Sequence, residues 1–202
     1  MLREIICDKF KEKKIEFHDG LNVVLGDEQG SNSIGKSTFL MIIDYVYGGK
    51  DYVMKSIDIQ RNVGAHIIKF SFMFKGNKYY FSRNTNDTEY VNICNDKYEV
   101  TETITLEQYT NKLKSLYEFG DKDISFRDVV GRYIRVYGKD NLNEKHPLDA
   151  VGNEKPTQAM NALLKLYDLY AAISELEDLA KRKGGLIVIQ DSIPAILDKC
   201  KS

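Results

Sequence analysis

This 202-residue chain has no run of about 18 apolar residues, so no membrane span is expected. Its opening, MLREIICDKF, lacks the uninterrupted apolar core that a secretory signal needs. The three cysteines, Cys7, Cys94 and Cys200, are scattered without a CxxC or Cys/His pattern. That spacing points away from zinc and disulfides and toward reduced thiols in a cytoplasm. A formal net charge of −1 gives no global electrostatic case for nucleic acid, so any such contact would come from a local patch. A hydrophobic content of 43% suffices for the core of one domain, or of one domain with an appendage.

The most informative segment is GSNSIGKST at 30–38, a complete GxxxxGKS/T phosphate loop. It follows the apolar run LNVVL at 21–25 and precedes the helix-like TFLMIIDYVY at 38–47, the strand, loop and helix context the motif requires. In such a loop backbone N–H groups curl around nucleotide phosphates, and small residues are needed where the main chain comes close. Lys36 would reach the β and γ phosphates, and Ser37 would offer its hydroxyl to Mg²⁺. The helix that follows would turn its positive end to the anion. The bland alternative is a Gly/Ser surface loop that matches by chance.

Strand signals dominate the first half. LREIIC at 2–7 and KIEF at 14–17 are expected strands, with HDG at 18–20 turning into a strand at 21–25. GGK at 48–50 stops the helix, and HIIKFSFMF at 66–74 pairs with KYYFSR at 78–83 across KGN as a hairpin. YVNICN at 90–95 and KYEVT at 97–101 form a second pair, LEQYTNKLKSLYEF at 106–119 has helical spacing, and a helix is expected after Ser125.

The expected organisation is a phosphate-loop lobe at 1–138, an exposed polar loop at 139–156, one long helix at 157–183 and a C-terminal segment at 184–202. Leu163, Leu166, Leu169, Tyr170, Ile173, Leu176 and Leu179 keep a 3 and 4 spacing through 157–183. That stripe suits a helix packed on its own core or the root of a coiled-coil arm. LIVIQD at 186–191 has the shape of a strand ending in an acid, so Asp191 is either a Mg²⁺ ligand or a strand-end or helix-cap residue.

The order KFKEKKIEFHDGLNVVLGDEQGSNSIGKSTFLMIIDYVYGG, extended to the hairpin ending in YYFSR, resembles the N-terminal lobe of ABC-type ATPase heads of the SMC, RecN and RecF kind. Residues 1–83 carry the specific part of that likeness. More narrowly, the extension Asp27 to Gln29, SIGKST, and SFRDVVGRYIR at 125–135 resemble bacterial SMC-like ATPases of the YydD type.

The resemblance implies an α/β P-loop fold with mixed or antiparallel strands and a C-terminal helical arm, binding ATP with Mg²⁺. It places Gly30, Asn32, Ser33, Ile34, Gly35, Lys36, Ser37 and Thr38 on the phosphate loop. Ser33 departs from the second glycine common there, and no glutamine lies between 109 and 157 to serve as the family's Mg²⁺ and water contact. Nor does any LSGG-like signature occur, and Ser192 stands where a catalytic Glu would follow Asp191.

These gaps are what an N-terminal half of a head would show. Its partners would be a C-terminal lobe and a second head, a homodimer closing on two ATP molecules, with work on DNA in repair, chromosome handling or defence against mobile elements. DNA contact would use Lys11, Lys13 and Lys14 or Arg127, Arg132 and Arg135, although solvated charge explains such clusters as well. The competing readings are a self-contained P-loop kinase or NTPase using Asp191, and a nucleotide-gated interaction module without catalysis.

Overall fold

The computed structural model describes residues 1–24, 33–120, 122–136, 139–141 and 143–183. They divide into a larger unit, within residues 1–120 and 125–154, and a smaller one, within 122–124 and 155–183.

The larger unit is built on β1 (Leu2–Ile6), β2 (Lys14–Glu16), β3 (Ile67–Phe74), β4 (Asn77–Asn84), β5 (Asp87–Cys94) and β6 (Val100–Thr105). They form one sheet in the order β2-β1-β3-β4-β5-β6, antiparallel at every pairing. The sheet is therefore antiparallel rather than mixed among the described residues. Helix α1 (Ser33–Val46) precedes the short α2 (Asp51–Met54) and α3 (Ile57–Asn62), and α4 (Leu106–Leu116) and α5 (Phe126–Tyr133) follow β6.

Alternation along the strands assigns the faces. Ile68, Phe70 and Phe72 of β3 and Phe81 of β4 are buried on one side, with Tyr109 and Leu113 of α4 and Tyr45 and Val46 of α1 in the same core. The rings of Phe70 and Phe81 stack at 5.8 Å, and Tyr109 meets Phe81 edge-on at 5.2 Å.

The opposite face is polar, and Glu4 marks it, paired across the ladder with Ser71. Its carboxylate accepts from Ser71 Oγ at 2.9 Å, Tyr98 OH at 2.9 Å and Lys78 Nζ at 3.2 Å, and Lys14 Nζ lies 3.1 Å away. Burial alone would raise the acid's pKa, but these donors pull it down to about 2.

Local signals account for the joints. Lys75 (φ 49°) and Gly76 (φ 80°) form a two-residue turn of the mirror-image type that matches strand twist, closed by the Phe74 and Asn77 pair. Thr105 and Gln108 make a reciprocal capping box on α4, and Ser125 Oγ accepts from Asp128 N at 3.0 Å at the start of α5, as expected. The second strand pair runs 87–94 with 100–105: its first strand starts earlier than the expected 90, and its second starts later than the expected 97 because Asn95 to Glu99 form the turn.

Three expectations change. Residues 21–24 are not a strand, and Leu21 (81%), Val23 (64%) and Val24 (52%) stand exposed. Among the described residues no strand of the sheet pairs with them, and Leu25, the last residue of the expected strand, lies outside those residues.

The loop expected to be exposed at 139–156 is exposed at residues 143–147, and other residues anchor it. Asn141 is buried and its Nδ2 donates to Ile134 O at 3.1 Å and Ala150 O at 3.3 Å. Arg132 makes a two-pronged pair with Glu154 at 2.9 and 3.0 Å.

The single helix expected at 157–183 is two, α6 (Pro156–Leu166) and α7 (Tyr170–Lys183), in the smaller unit. Asp168 takes φ 59°, Leu169 N donates to Leu164 O at 2.8 Å and Asp168 N donates to Lys165 O at 3.4 Å. This is the 6→1 and 5→2 bond pair that terminates helices, with Asp replacing the usual Gly. Periodicity carries no warning of it, because the apolar stripe continues through the break.

Candidate functional site

The site is assembled on α1. Its first turn is Ser33 to Lys36, whose four N–H groups have no intrahelical acceptor. No acidic residue occupies that turn, so nothing of the helix's own competes for its positive end. A Cβ built on Gly35 would meet nothing within 4 Å, so packing among the described residues does not demand glycine here. Its smallness suits an approach from outside, as a phosphate makes. Lys36 is exposed, and Ser37 and Thr38 are half-buried one step further along the helix. Gly30, Asn32 and Asp191 lie outside the described residues, while Ser33 and Ile34 are placed in α1 by their backbone.

Lys36 opens onto a groove of about 570 Å³ between β2, the 22–24 segment and α1. Apart from the lysine its walls are mainly apolar: Phe17, Val23, Val24, Phe39, Leu40 and Ile43. Phe17 and Phe39 stack across it at 6.1 Å. Asn22 braces the entry by accepting from His18 N at 3.0 Å and donating to His18 O at 2.9 Å, which fixes the 18–22 turn. The groove thus brings the motif lysine beside a set of uncovered apolar side chains.

The other end of α1 is fully occupied. A helix leaves four C-terminal carbonyls without helical partners. Here Asp44 O accepts from Gly49 N at 2.8 Å, and Tyr45 O from Gly48 N at 3.0 Å and from Arg83 Nη1. Val46 O takes the Tyr109 hydroxyl at 2.7 Å, and Tyr47 O takes Arg127 Nη1 at 2.9 Å.

Arg83 is fully buried on β4, donates also to Gly49 O and Thr88 O at 3.0 Å each, and lies 3.8 Å over the Tyr45 ring. Two guanidinium groups therefore sit at the negative end of the helix dipole. Burial pushes the Tyr109 phenol well above its usual range, which keeps it protonated as a donor. Sequence reading missed this clamp. Its trace was an arginine closing an aromatic strand run, YYFSR, followed 44 residues later by another at the start of a capped helix.

The cationic sets expected for DNA contact are largely spent internally. Arg127 pairs with Asp44 at 2.6 Å, Arg132 with Glu154, and Arg135 donates to Arg132 O at 2.9 Å and to Pro147 O. Lys14 bridges Glu4 and Glu16, leaving Lys11 and Lys13 as exposed members of the first set. Among the described residues no group of three or more His, Cys, Asp or Glu could hold a metal ion. No helix there is long and apolar enough to cross a membrane.

Comparison with known proteins adds one finding: the profile of a family described as "AAA domain" matches residues 7–199. No curated protein and no solved structure matches the chain.

Proposed function

The chain belongs to the AAA-domain family, P-loop ATPase domains of the type found in SMC- and RecF-like proteins, and from that premise we propose that it is the Mg²⁺-ATP-binding N-terminal half of an SMC-like ATPase head. The observation that carries the reading is the juxtaposition of Lys36, on the open turn of α1, with the exposed apolar residues Val23 and Val24. In this account the backbone from Asn32 to Ser37 cradles the phosphates, Lys36 neutralises the β and γ groups and Ser37 ligates Mg²⁺. Mg²⁺ would screen phosphate charge at that hydroxyl.

The segment before the motif needs a neighbour to bury it, and a C-terminal lobe supplies one by adding strands along 21–25 and filling the groove. That lobe would also bring the signature, the Mg²⁺-holding acid and the glutamate that orients water. Two completed heads would close on two ATP molecules as a homodimer, and the helices beyond 155 would begin the arm moved by that closure. The substrate class that fits this architecture is DNA, with the finer likeness pointing to bacterial YydD-type proteins. Any DNA contact falls to exposed lysines such as Lys11 and Lys13 rather than to Arg127 or Arg132.

A turnover assay tests the half-head reading. The chain alone is expected to bind Mg²⁺-ATP and release no phosphate above background. Turnover that disappears in Lys36→Ala would overturn it in favour of a self-contained enzyme. The carboxylate lining the groove, Glu16, is already paired with Lys14.

A further inference from the structure

Resting on the nucleotide-binding reading of α1, we propose that His18 is a base-reading residue: its Nε2 accepts a hydrogen bond from the exocyclic amine of an adenine held against Phe17 and Phe39, and so sets a preference for adenine over 6-oxo purine nucleotides. A nucleotide whose β and γ phosphates meet Lys36 lays its nucleoside against the surface adjoining that lysine. That surface is the groove walled by Phe17, Phe39, Leu40 and Ile43, and its volume of about 570 Å³ lies in the range of ordinary small-molecule sites. The Phe17 and Phe39 rings are 8° from parallel with centroids 6.1 Å apart, and both are half-buried, so a flat heteroaromatic ring extends an aromatic wall already formed. Val23 and Val24 remain as the wall left to an added lobe.

Stacking alone accepts any base, because every base has a π face. Selection needs a polar group of one fixed sense, and the lining offers few. Glu16 is paired with Lys14 at 2.5 Å, Asn22 is spent on the 18–22 turn, and Lys36 serves the phosphates. His18 remains, exposed where a ligand can reach it. Its Nδ1 lies 2.8 Å from Asp19 O, which can only accept, so Nδ1 carries the proton of the neutral ring. Nε2 is then an acceptor, and it has no partner among the described residues.

The ring is held in place before any ligand arrives. Asn22 Oδ1 accepts from His18 N at 3.0 Å and Asn22 Nδ2 donates to His18 O at 2.9 Å, which pins the backbone on both sides of the residue. Asp19, whose carbonyl orients the imidazole, is itself anchored through its carboxylate to Arg3 at 3.0 Å. An acceptor fixed in this way fits the amino group at position 6 of adenine. It opposes guanine and hypoxanthine, which carry a carbonyl oxygen at that position, because two acceptors would then face each other.

The test is titration calorimetry of the full chain at pH 8 with the Mg²⁺ complexes of ATP, of ITP and of purine riboside triphosphate, which carries only hydrogen at position 6. The proteins compared are the wild type, Lys36→Ala and His18→Phe, the last keeping a flat ring while removing the acceptor. One such hydrogen bond corresponds to about tenfold in affinity, so the wild type should bind ATP about tenfold tighter than purine riboside triphosphate, and tighter still relative to ITP. In His18→Phe, ATP affinity should fall to that of purine riboside triphosphate, with the three nucleotides within twofold of one another. Wild-type affinities equal within twofold, or a preference for ATP that survives in His18→Phe, would overturn the proposal and leave the nucleotide reading in place. Absence of any Lys36-dependent binding by the wild type would instead refute the nucleotide reading, and this inference with it.

Discussion

Replacing Glu4 by Gln keeps the shape of the side chain and removes its charge, and the effect can be worked from the contacts it makes. One oxygen accepts from Ser71, Lys78 and Tyr98, and the other faces Lys14. A folded-state pKa drawn from 4.5 to about 2 corresponds to roughly 3 kcal/mol of stabilisation by the charged form. The side chains of Lys14 and Lys78 are 47% and 36% exposed, so solvent screening reduces that to about 2 kcal/mol. Because the folded pKa is depressed, the contribution is complete above the unfolded value near 4.5 and is lost as pH falls through about 2. Urea unfolding at pH 7, 5, 4 and 3, followed by tyrosine fluorescence since the chain has no tryptophan, reads this directly. Glu4→Gln should unfold about 2 kcal/mol more easily at pH 7 and 5, with the gap narrowing at pH 4 and 3. A difference that does not change with pH, or one below about 0.5 kcal/mol at pH 7, would refute the assignment of the charge to this network.

Other consequences follow from the same geometry. Gly49→Ala places a methyl 1.8 Å from the buried Asp44 Oδ2 and 2.9 Å from Asp44 O, so urea melts should show a loss of about 3 kcal/mol; a loss under 1 kcal/mol would contradict the packing described. Arg83→Met strips the donor from Tyr45 O, Gly49 O and Thr88 O at once and should cost about 4 kcal/mol or more by the same measurement, with a near-neutral result speaking against the clamp. The double change Val23→Ser and Val24→Ser removes exposed apolar groups and should alter the chain's own stability by no more than about 0.5 kcal/mol, whereas a large loss would mean these side chains are already buried.

The fold was legible where a local rule decides the outcome. The KGN turn, the helical spacing of 106–119, the Ser125 cap and the alternation of Phe70, Phe72 and Phe81 each place an element from a few adjacent residues. What escaped depends on distant partners. LNVV at 21–24 reads as a strand because β-forming residues cluster there, but a strand needs a neighbour, and among the described residues the sheet offers none. The stripe from Leu163 to Leu179 keeps its period across a break that rests on the left-handed conformation of Asp168. The polar composition of 139–156 pointed to an exposed loop, as residues 143–147 are, but not to the bonds by which Asn141 and Arg132 tie that loop down. In the site, the lysine and its helix were evident from the motif. The arginine clamp at the far end of that helix joins residues 38 to 83 positions apart and was not.

Presentation of Lys36 by α1 to a nucleotide phosphate can be read from titration calorimetry of the chain with Mg²⁺-ATP beside Lys36→Ala. Saturable binding by the wild type is expected, weakened at least a hundredfold in Lys36→Ala while its urea midpoint stays unchanged. Equal binding by both proteins, or none by either, would contradict it.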